Sequence, residues 1–321
     1  MKYLVTGGAG FIGSNIVAEL VRRKEKVRVL DNFSTGRREN LIPFWDNIEL
    51  IEGDLTDLET IREAVEGMDF VLHQGALPSI PRSIEHPIGS NNANVSGTLN
   101  LLIASKDAKI KRLIYASSSS VYGNSSHLPK VETMNPSPLS PYAVSKLAGE
   151  YYCQVFYHIH RLETVILRYF NVFGINQDPT SAYSAVIPKL ISSMLHKKSP
   201  IIFGDGLQSR DFTFVDNVVK ANLLATEFDS AVGEIFNVAV GQAYSLLDLI
   251  AKINSILSYS IEPIFDSPRL GEIKHSLADI TKAKEKFHYV PEIELEEGLR
   301  RTIRWMKNIK EKENLSHHII Q

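Results

Sequence analysis

Short apolar runs alternate with longer amphipathic stretches through the first half of the chain. Lys2–Thr6, Lys26–Asp31, Ile48–Glu52, Asp69–His73, Arg112–Ser117 and Thr164–Tyr169 have the length and β-branched content of strands. They are apolar at nearly every position rather than at alternate ones, so they read as strands covered on both faces. Phe11–Arg23, Leu58–Glu66, Asn92–Lys106 and Pro141–His158 carry the helical pattern between them. Repeated βα alternation predicts an α/β fold with a doubly wound parallel sheet.

The order changes beyond Tyr169, where loops rich in Gly, Pro, Asn and Asp appear at Asn171–Ser181, Gly204–Arg210 and Ser267–Gly271. This part is expected to form a smaller mixed α/β lobe that binds substrate, with Phe212–Ala239 returning to the sheet. The expected division is residues 1–170 plus about 212–240 for the cofactor domain and 171–211 plus 241–310 for the second lobe. Residues 311–321 are left as a tail, and the charged chain from Lys307 is expected to fray into solvent.

Composition narrows the function more than the fold. With 321 residues, 44% of them hydrophobic, there is ample material for a core. A net charge of -2 gives no global attraction to nucleic acid or to an anionic membrane, so an anionic ligand must be met by local cations and backbone amides. No apolar stretch approaches a membrane span, and the N-terminal run is too short for a signal peptide. The single cysteine, Cys153, fits a reducing compartment, and the expected location is cytoplasmic. The ten histidines form no ligand-like cluster, so no metal is expected.

The first chemical signal follows the first strand directly. Thr6-Gly7-Gly8-Ala9-Gly10-Phe11-Ile12-Gly13 opens the first helix with glycines spaced Gly7-x-x-Gly10-x-x-Gly13. Glycines there permit a tight turn and let backbone N–H groups approach a pyrophosphate at the helix N-terminus. Asp31 ends the second strand, close to the offset expected for a carboxylate that binds the adenosine ribose hydroxyls. A carboxylate at that place repels a 2′-phosphate, which favours NAD over NADP. Its alternative is a solvated turn aspartate. Asp54, ending the third strand, either contacts adenine or caps the helix that follows. Strand, glycine turn, helix and acidic strand end together predict a Rossmann-type sheet.

Ser140-Pro141-Tyr142-Ala143-Val144-Ser145-Lys146 carries the second signal. Ser140 suits an N-cap and Pro141 the first helical turn. Tyr142 and Lys146 then share one helix face. Forming a phenolate at pH 7 from a tyrosine of pKa near ~10 costs roughly 4 kcal/mol, and a neighbouring ammonium and a cationic nicotinamide ring both lower that cost. Such a tyrosine can act as general base toward a hydroxyl. Ser117-Ser118-Ser119-Ser120 ends a strand at the carboxyl edge, where ligands bind in this architecture.

With these residues in this order the chain resembles an extended short-chain dehydrogenase/reductase from the first strand to about Tyr289. It is most similar to the UDP-hexose 4-epimerases, and among them to the UDP-N-acetylglucosamine 4-epimerase branch. The segments that carry this are His73–Leu77, Pro81–Ile84, Leu128–Glu132, Arg168–Gly174 and Gly271–Asp279. The resemblance implies Ser118, Tyr142 and Lys146 as catalytic residues. It places NAD against Gly7, Gly10, Phe11, Ile12, Gly13, Asp31, Asn32, Ser34, Thr35, Gly36, Asp54, Leu55, Gln74, Ala76, Asn94, Tyr142, Lys146 and Phe170. It places the UDP-sugar against Ser79, Ser118, Ser119, Tyr142, Asn171, Val186, Arg210, Arg269 and Ser276. The implied chemistry removes hydride from C4 as Tyr142 takes the hydroxyl proton, then returns hydride to the other face of the 4-keto sugar.

Dehydratases of this kind carry an Asp-Glu pair after the catalytic serine or threonine, and the decarboxylases a glutamate. Here those positions are Ser119 and Ser120, which favours epimerisation over elimination. Small Ser276 is expected to leave room for a 2-acetamido group, and UDP-glucose is expected to be accepted as well. The Pro78-Ser79 pair departs from the Gly-Ser expected in that branch. UDP-glucose or UDP-glucuronate 4-epimerase, UDP-glucuronate decarboxylase and a non-catalytic NAD-binding protein are the alternatives. The resemblance also implies a homodimer joined by a four-helix bundle of Asn92–Lys106 and Pro141–His158, with Leu101, Leu102, Tyr152 and Phe156 as apolar residues beyond one face.

Overall fold

The computed structural model describes residues 1–179, 185–268 and 274–319, with side chains as far as Ile309. In chain order the elements begin β1 (Lys2–Thr6), α1 (Phe11–Arg22), β2 (Lys26–Asp31), β3 (Ile48–Glu52), α2 (Leu58–Val65) and β4 (Phe70–His73). They continue with α3 (Ile80–Glu85), α4 (Pro87–Asn91), α5 (Gly97–Asp107), β5 (Arg112–Ser118), α6 (Pro141–His160), β6 (Glu163–Tyr169) and β7 (Val172–Phe173). Next come α7 (Val186–Leu195), β8 (Ile201–Phe203), β9 (Ser209–Asp211), β10 (Thr213–Phe214), α8 (Val215–Glu227) and β11 (Ile235–Val238). The last are β12 (Ala243–Ser245), α9 (Leu246–Leu257), β13 (Ile264–Asp266), α10 (Thr281–Phe287) and α11 (Leu295–Ile319).

Seven strands form one parallel sheet in the order β11-β6-β5-β4-β1-β2-β3. The order reverses between β1 and β4, so the carboxyl ends of these two strands open a crevice for a ligand. The apolar runs read from the sequence are these strands, buried because both faces carry helices: Leu4, Val71 and Leu113 pack on one side, Val5, Leu72 and Ile114 on the other. The fold is the expected Rossmann-type α/β sheet, and β11 fills its edge beside β6. A separate apolar cluster gathers α7, α9 and α11 around Phe173, Phe212 and Phe214. Two features depart from expectation. A π-turn over Asn92–Ser96 joins α4 to α5, and the chain from Lys307, expected to fray, is helical as far as Ile319.

The residues named for a subunit contact also need correction. Leu101 and Leu102 are fully buried and Phe156 is 6% exposed, all inside the monomer's own core beneath the sheet. The apolar residues that α6 shows to solvent are Val144, Tyr151, Val155 and Ile159. Among the described residues no helix is long and apolar enough to cross a membrane.

A buried ion pair ties α6 to the sheet. Arg168 on β6 meets Glu150 on α6 through Nη2 and Nε at 2.7 and 2.9 Å, and both side chains are essentially inaccessible. Ser117 donates to the same carboxylate, and the Arg168 guanidinium lies 4.7 Å from the centre of the Tyr122 ring. Removing one partner of such a pair strands the other charge without water. Glu150→Gln is expected to lower unfolding free energy by about 3–5 kcal/mol in equilibrium denaturation, far more than the loss of an exposed pair such as Arg22–Glu19.

Candidate active site

The turn after β1 is closed by backbone contacts that no side chain could occupy. Gly7 has φ +66°, and a Cβ there would lie 2.7 Å from the Gly75 backbone; a Cβ on Gly13 would lie 2.1 Å from the Gly7 carbonyl oxygen. Gly10 is the extended N-cap of α1 and has no side chain to cap it, so the first amides of the helix face the crevice. Asp31 holds the turn from β2. Its two oxygens accept from the Ala9 N–H at 2.9 Å and the Phe33 N–H at 2.8 Å. It is 6% exposed, and burial raises its pKa above the usual carboxylate range despite those two donors. It is therefore not a solvated turn residue. Each oxygen keeps a second lone pair for a ligand hydroxyl.

Asp54 does not cap α2; Asp57 does, accepting from the Glu59 N–H at 3.1 Å. Asp54 instead accepts from the Thr56 amide and hydroxyl and from Asn32. Burial pushes its pKa up, and these donors outweigh that and hold it below the usual value.

α6 begins as its sequence dictates, with the Ser140 hydroxyl accepting from the Ala143 N–H at 3.1 Å and proline at its first turn. This presents Tyr142 and Lys146 toward the end of β5. Burial raises the Tyr142 pKa, and a hydrogen bond with Ser118 opposes the rise. Lys146 is 5% exposed and its Nζ donates to the Ala116 carbonyl at 2.9 Å. Burial lowers its pKa to about 8, within reach of physiological pH. The lysine is thus anchored on the strand that delivers the serine, and the phenol is protonated in the chain alone.

Asn94 sits in the π-turn and clamps protein to protein. It accepts from the Leu77 N–H at 2.7 Å and donates to Ser145 at 3.0 Å, and Ser145 donates to the Tyr142 carbonyl at 2.8 Å. His73, which sequence reasoning left without a role, bridges Thr6 (2.7 Å) and Thr98 (2.9 Å) with 1% exposure. Thr98 uses its own proton on the Asn94 carbonyl, so His73 donates from Nε2 and accepts at Nδ1.

One cavity of about 880 Å³ runs along this edge. Of the expected residues it is lined by Gly7, Gly10, Phe11, Ile12, Gly13, Asp31, Asn32, Ser34, Thr35, Asp54, Leu55, Gln74, Ala76, Ser79, Tyr142 and Lys146. Ser79 holds φ +95°, a strained conformation for a residue with a Cβ, in the loop that carries the Pro78-Ser79 pair. Gly36 packs behind this wall against Ala9 and Asp31. The turn that admits no Cβ, the uncapped helix end and the two carboxylates fit a dinucleotide.

The remaining expected residues lie off this wall. Phe170, the residue that follows β6, is fully buried with its ring 6.1 Å from that of Tyr122. Asn171 and Ser276 are joined to β9, which carries Arg210: Asn171 donates to the Asp211 carbonyl, Arg210 to the Lys274 carbonyl, and the Ser276 N–H to the Ser209 carbonyl. Val186 opens α7. Ser118 caps the short 3₁₀ turn that begins at Ser119, and Arg269 lies outside the described residues. Sequence reasoning missed Asp211, whose buried carboxylate accepts from the Val240, Gly241 and Ala278 N–H groups and so fastens β9 to two loops. Its only signal was an aspartate set between Arg210 and the aromatic Phe212, at the end of the short strand Ser209–Asp211.

Most of the chain matches known proteins. Residues 3–239 match the model of the NAD dependent epimerase/dehydratase family. A putative UDP-glucose 4-epimerase of Methanocaldococcus jannaschii is 40% identical over 95% of this chain and 98% of its own length. A UDP-N-acetylglucosamine 4-epimerase of Methanobrevibacter ruminantium, solved with UDP-N-acetylmuramic acid, superposes with a TM-score of 0.92 at 42% identity, covering 96% and 98% of the two chains. A UDP-glucose 4-epimerase of Thermotoga maritima solved with UDP-glucose gives 0.92 at 36% identity over 96% and 99%. The chain belongs to the NAD dependent epimerase/dehydratase family, of the extended short-chain dehydrogenase/reductase type. Within it the chain falls among the UDP-sugar 4-epimerases; it is an isomerase, and NAD is its cofactor.

His73 makes the site acid-sensitive. Burial, with the Lys146 charge adding to it, lowers its pKa to about 3, whereas the unfolded imidazole titrates near ~6.5. The unfolded chain therefore takes up a proton that the fold refuses, and stability falls as pH drops from about 6.5 toward about 3. The gap between the denaturation midpoints of the wild type and His73→Gln is expected to stay constant above about pH 6.5 and to change steadily as pH falls from there toward about 3, the wild type losing roughly 1.4 kcal/mol per unit from this group.

Proposed function

We propose that this enzyme is an NAD-dependent UDP-N-acetylglucosamine 4-epimerase, interconverting UDP-GlcNAc and UDP-GalNAc and also accepting UDP-glucose and UDP-galactose. The observation that carries the reading is the Ser118, Tyr142 and Lys146 arrangement at the carboxyl edge of β5, with Ser119 and Ser120 where an eliminating enzyme needs carboxylates. Small Ser276 on the β9 platform supports the acetylated sugar, as does the likeness to a UDP-N-acetylglucosamine 4-epimerase solved with an N-acetylated UDP-sugar. The proposed division of labour follows the expected lobes, with residues 1–170 and about 212–240 holding cofactor and residues 171–211 and 241–310 gripping the nucleotide diphosphate.

Bound NAD supplies a hydride acceptor and donor and a cationic ring beside Tyr142. Tyr142 takes the proton of the C4 hydroxyl and gives it back, with Ser118 bonded to the same oxygens. Lys146, held on the Ala116 carbonyl, keeps positive charge beside the phenol below about pH 8. Asn171, Arg210 and Arg269 hold the UDP, Arg210 and Arg269 pairing with the diphosphate, while the sugar stays free to present either face. Catalysis is expected in the cytoplasm.

NMR of the products from UDP-GlcNAc, UDP-glucose and UDP-glucuronate, each supplied alone, tests the substrate. Galacto-configured UDP-GalNAc is the expected dominant product, and turnover of UDP-glucuronate alone would sink the proposal. In the same assay Tyr142→Phe is expected to lose about 10²–10⁴-fold in turnover with UDP binding retained.

We also infer a homodimer through α5 and α6. Val144, Tyr151, Val155 and Ile159 are 45–69% exposed and spaced to form one apolar stripe along α6. Sedimentation of Val155→Glu is expected to give a monomer where the wild type gives a dimer. A wild-type monomer at micromolar concentration would count against it.

A further inference from the structure

The segment that leaves β7, residues 175–178, crosses back over the glycine turn and is fastened to it at both ends. Asn15 on α1 donates to the Ile175 carbonyl at 3.1 Å, and Asn176 donates to the Ser14 hydroxyl at 3.0 Å. Asn176 adopts φ +64° to make this approach. At the other end Arg37, whose own N–H donates to the Ala9 carbonyl at 3.0 Å, forms an ion pair with Asp178. Arg37 follows β2 on the adenosine side of the crevice, whereas Asp178 belongs to the chain leading to α7. Their pair therefore spans the opening above the first turn of α1.

Between these fastenings Gln177 lines the cavity. Its Nε2 donates to the Val172 carbonyl at 3.2 Å, which fixes the amide orientation: the reverse placement would set two oxygens against each other. Its Oε1 is then an acceptor, buried, with no protein partner. Buried polar atoms are rarely left so, and the missing partner must be a donor. Phosphate oxygens at neutral pH carry no proton to give. A ribose hydroxyl does.

We propose that residues 175–178 are a strap over the bound dinucleotide, in which Gln177 accepts a hydrogen bond from a ribose hydroxyl and the Arg37–Asp178 pair latches the cofactor in. This rests on the NAD-dependent reading and adds residues to it that the glycine motif does not contain. A cofactor that is restored in every cycle gains nothing by leaving, and a latch that includes the solvent-facing Arg37–Asp178 ion pair slows its escape. Because the pair is half-exposed, salt screens it.

The test is the release of radiolabelled NAD into excess unlabelled NAD, alongside calorimetry of UDP binding. Gln177→Leu is expected to speed release about 3–10-fold, the loss of one hydrogen bond, with UDP affinity unchanged. Asp178→Asn is expected to speed it about 2–5-fold and to abolish the acceleration that sodium chloride causes in the wild type. Wild-type release rates in both variants, or an Asp178→Asn chain that keeps the full salt dependence, would overturn the strap. So would a Gln177→Leu chain that loses UDP affinity and not NAD. A wild-type chain that binds UDP-sugar but no NAD would overturn the cofactor reading itself.

Discussion

A Cβ on Gly13 would stand 2.1 Å from the Gly7 carbonyl, and much of the molecule is arranged around that prohibition. The contact lets β1 pass into α1 through the tight turn Gly7–Gly10, so the helix end faces the crevice where the strand order reverses. It also brings Gly7 against Gly75, which fixes where β4 ends and so where Gln74 and Ala76 meet the cavity. Thr6, His73, Thr98 and Asn94 continue the same line of contacts from β1 through β4 to the π-turn and on to the catalytic helix. The cofactor cradle and the catalytic tyrosine are thus registered to each other through buried hydrogen bonds rather than through the surface.

Beneath the reactive edge the interior is polar, which is costly unless each group is paired. Glu150 lies one turn beyond Lys146 and receives Arg168 and Ser117; Tyr122 donates to Asn237, whose amide reaches the Lys130 and Asp279 carbonyls. This network joins β5, β6, α6 and β11 behind Ser118. An apolar core could pack there equally well, yet it would not specify the rotation of α6 about its own axis, and that rotation decides whether Tyr142 faces the crevice.

What could be read from the sequence was what local chemistry encodes. Unbroken apolar runs gave the parallel sheet, the Gly7-x-x-Gly10-x-x-Gly13 spacing gave the turn, and Ser140-Pro141 gave the start of α6. Residues whose roles depend on partners far away in sequence were invisible or misplaced. Asp211 works through Val240 and Ala278, and Gln177 through a cavity whose other walls come from distant strand ends. Phe170 matched a motif, but its packing against Tyr122 was not legible in that motif. Leu101 and Phe156 looked surplus to one helix face because a segment that packs against both sheet and neighbouring helices has more than one buried face.

Asp31 joins two tasks usually treated apart. The carboxylate that disfavours a 2′-phosphate is the one that receives the Ala9 and Phe33 amides and keeps the glycine turn closed. Converting the enzyme to the phosphorylated cofactor by the obvious exchange of this residue would remove the buckle of the cradle along with the selectivity. A change of redox currency here has to be made as a coordinated redesign of the turn, with a new acceptor for those two amides, and not as a single edit.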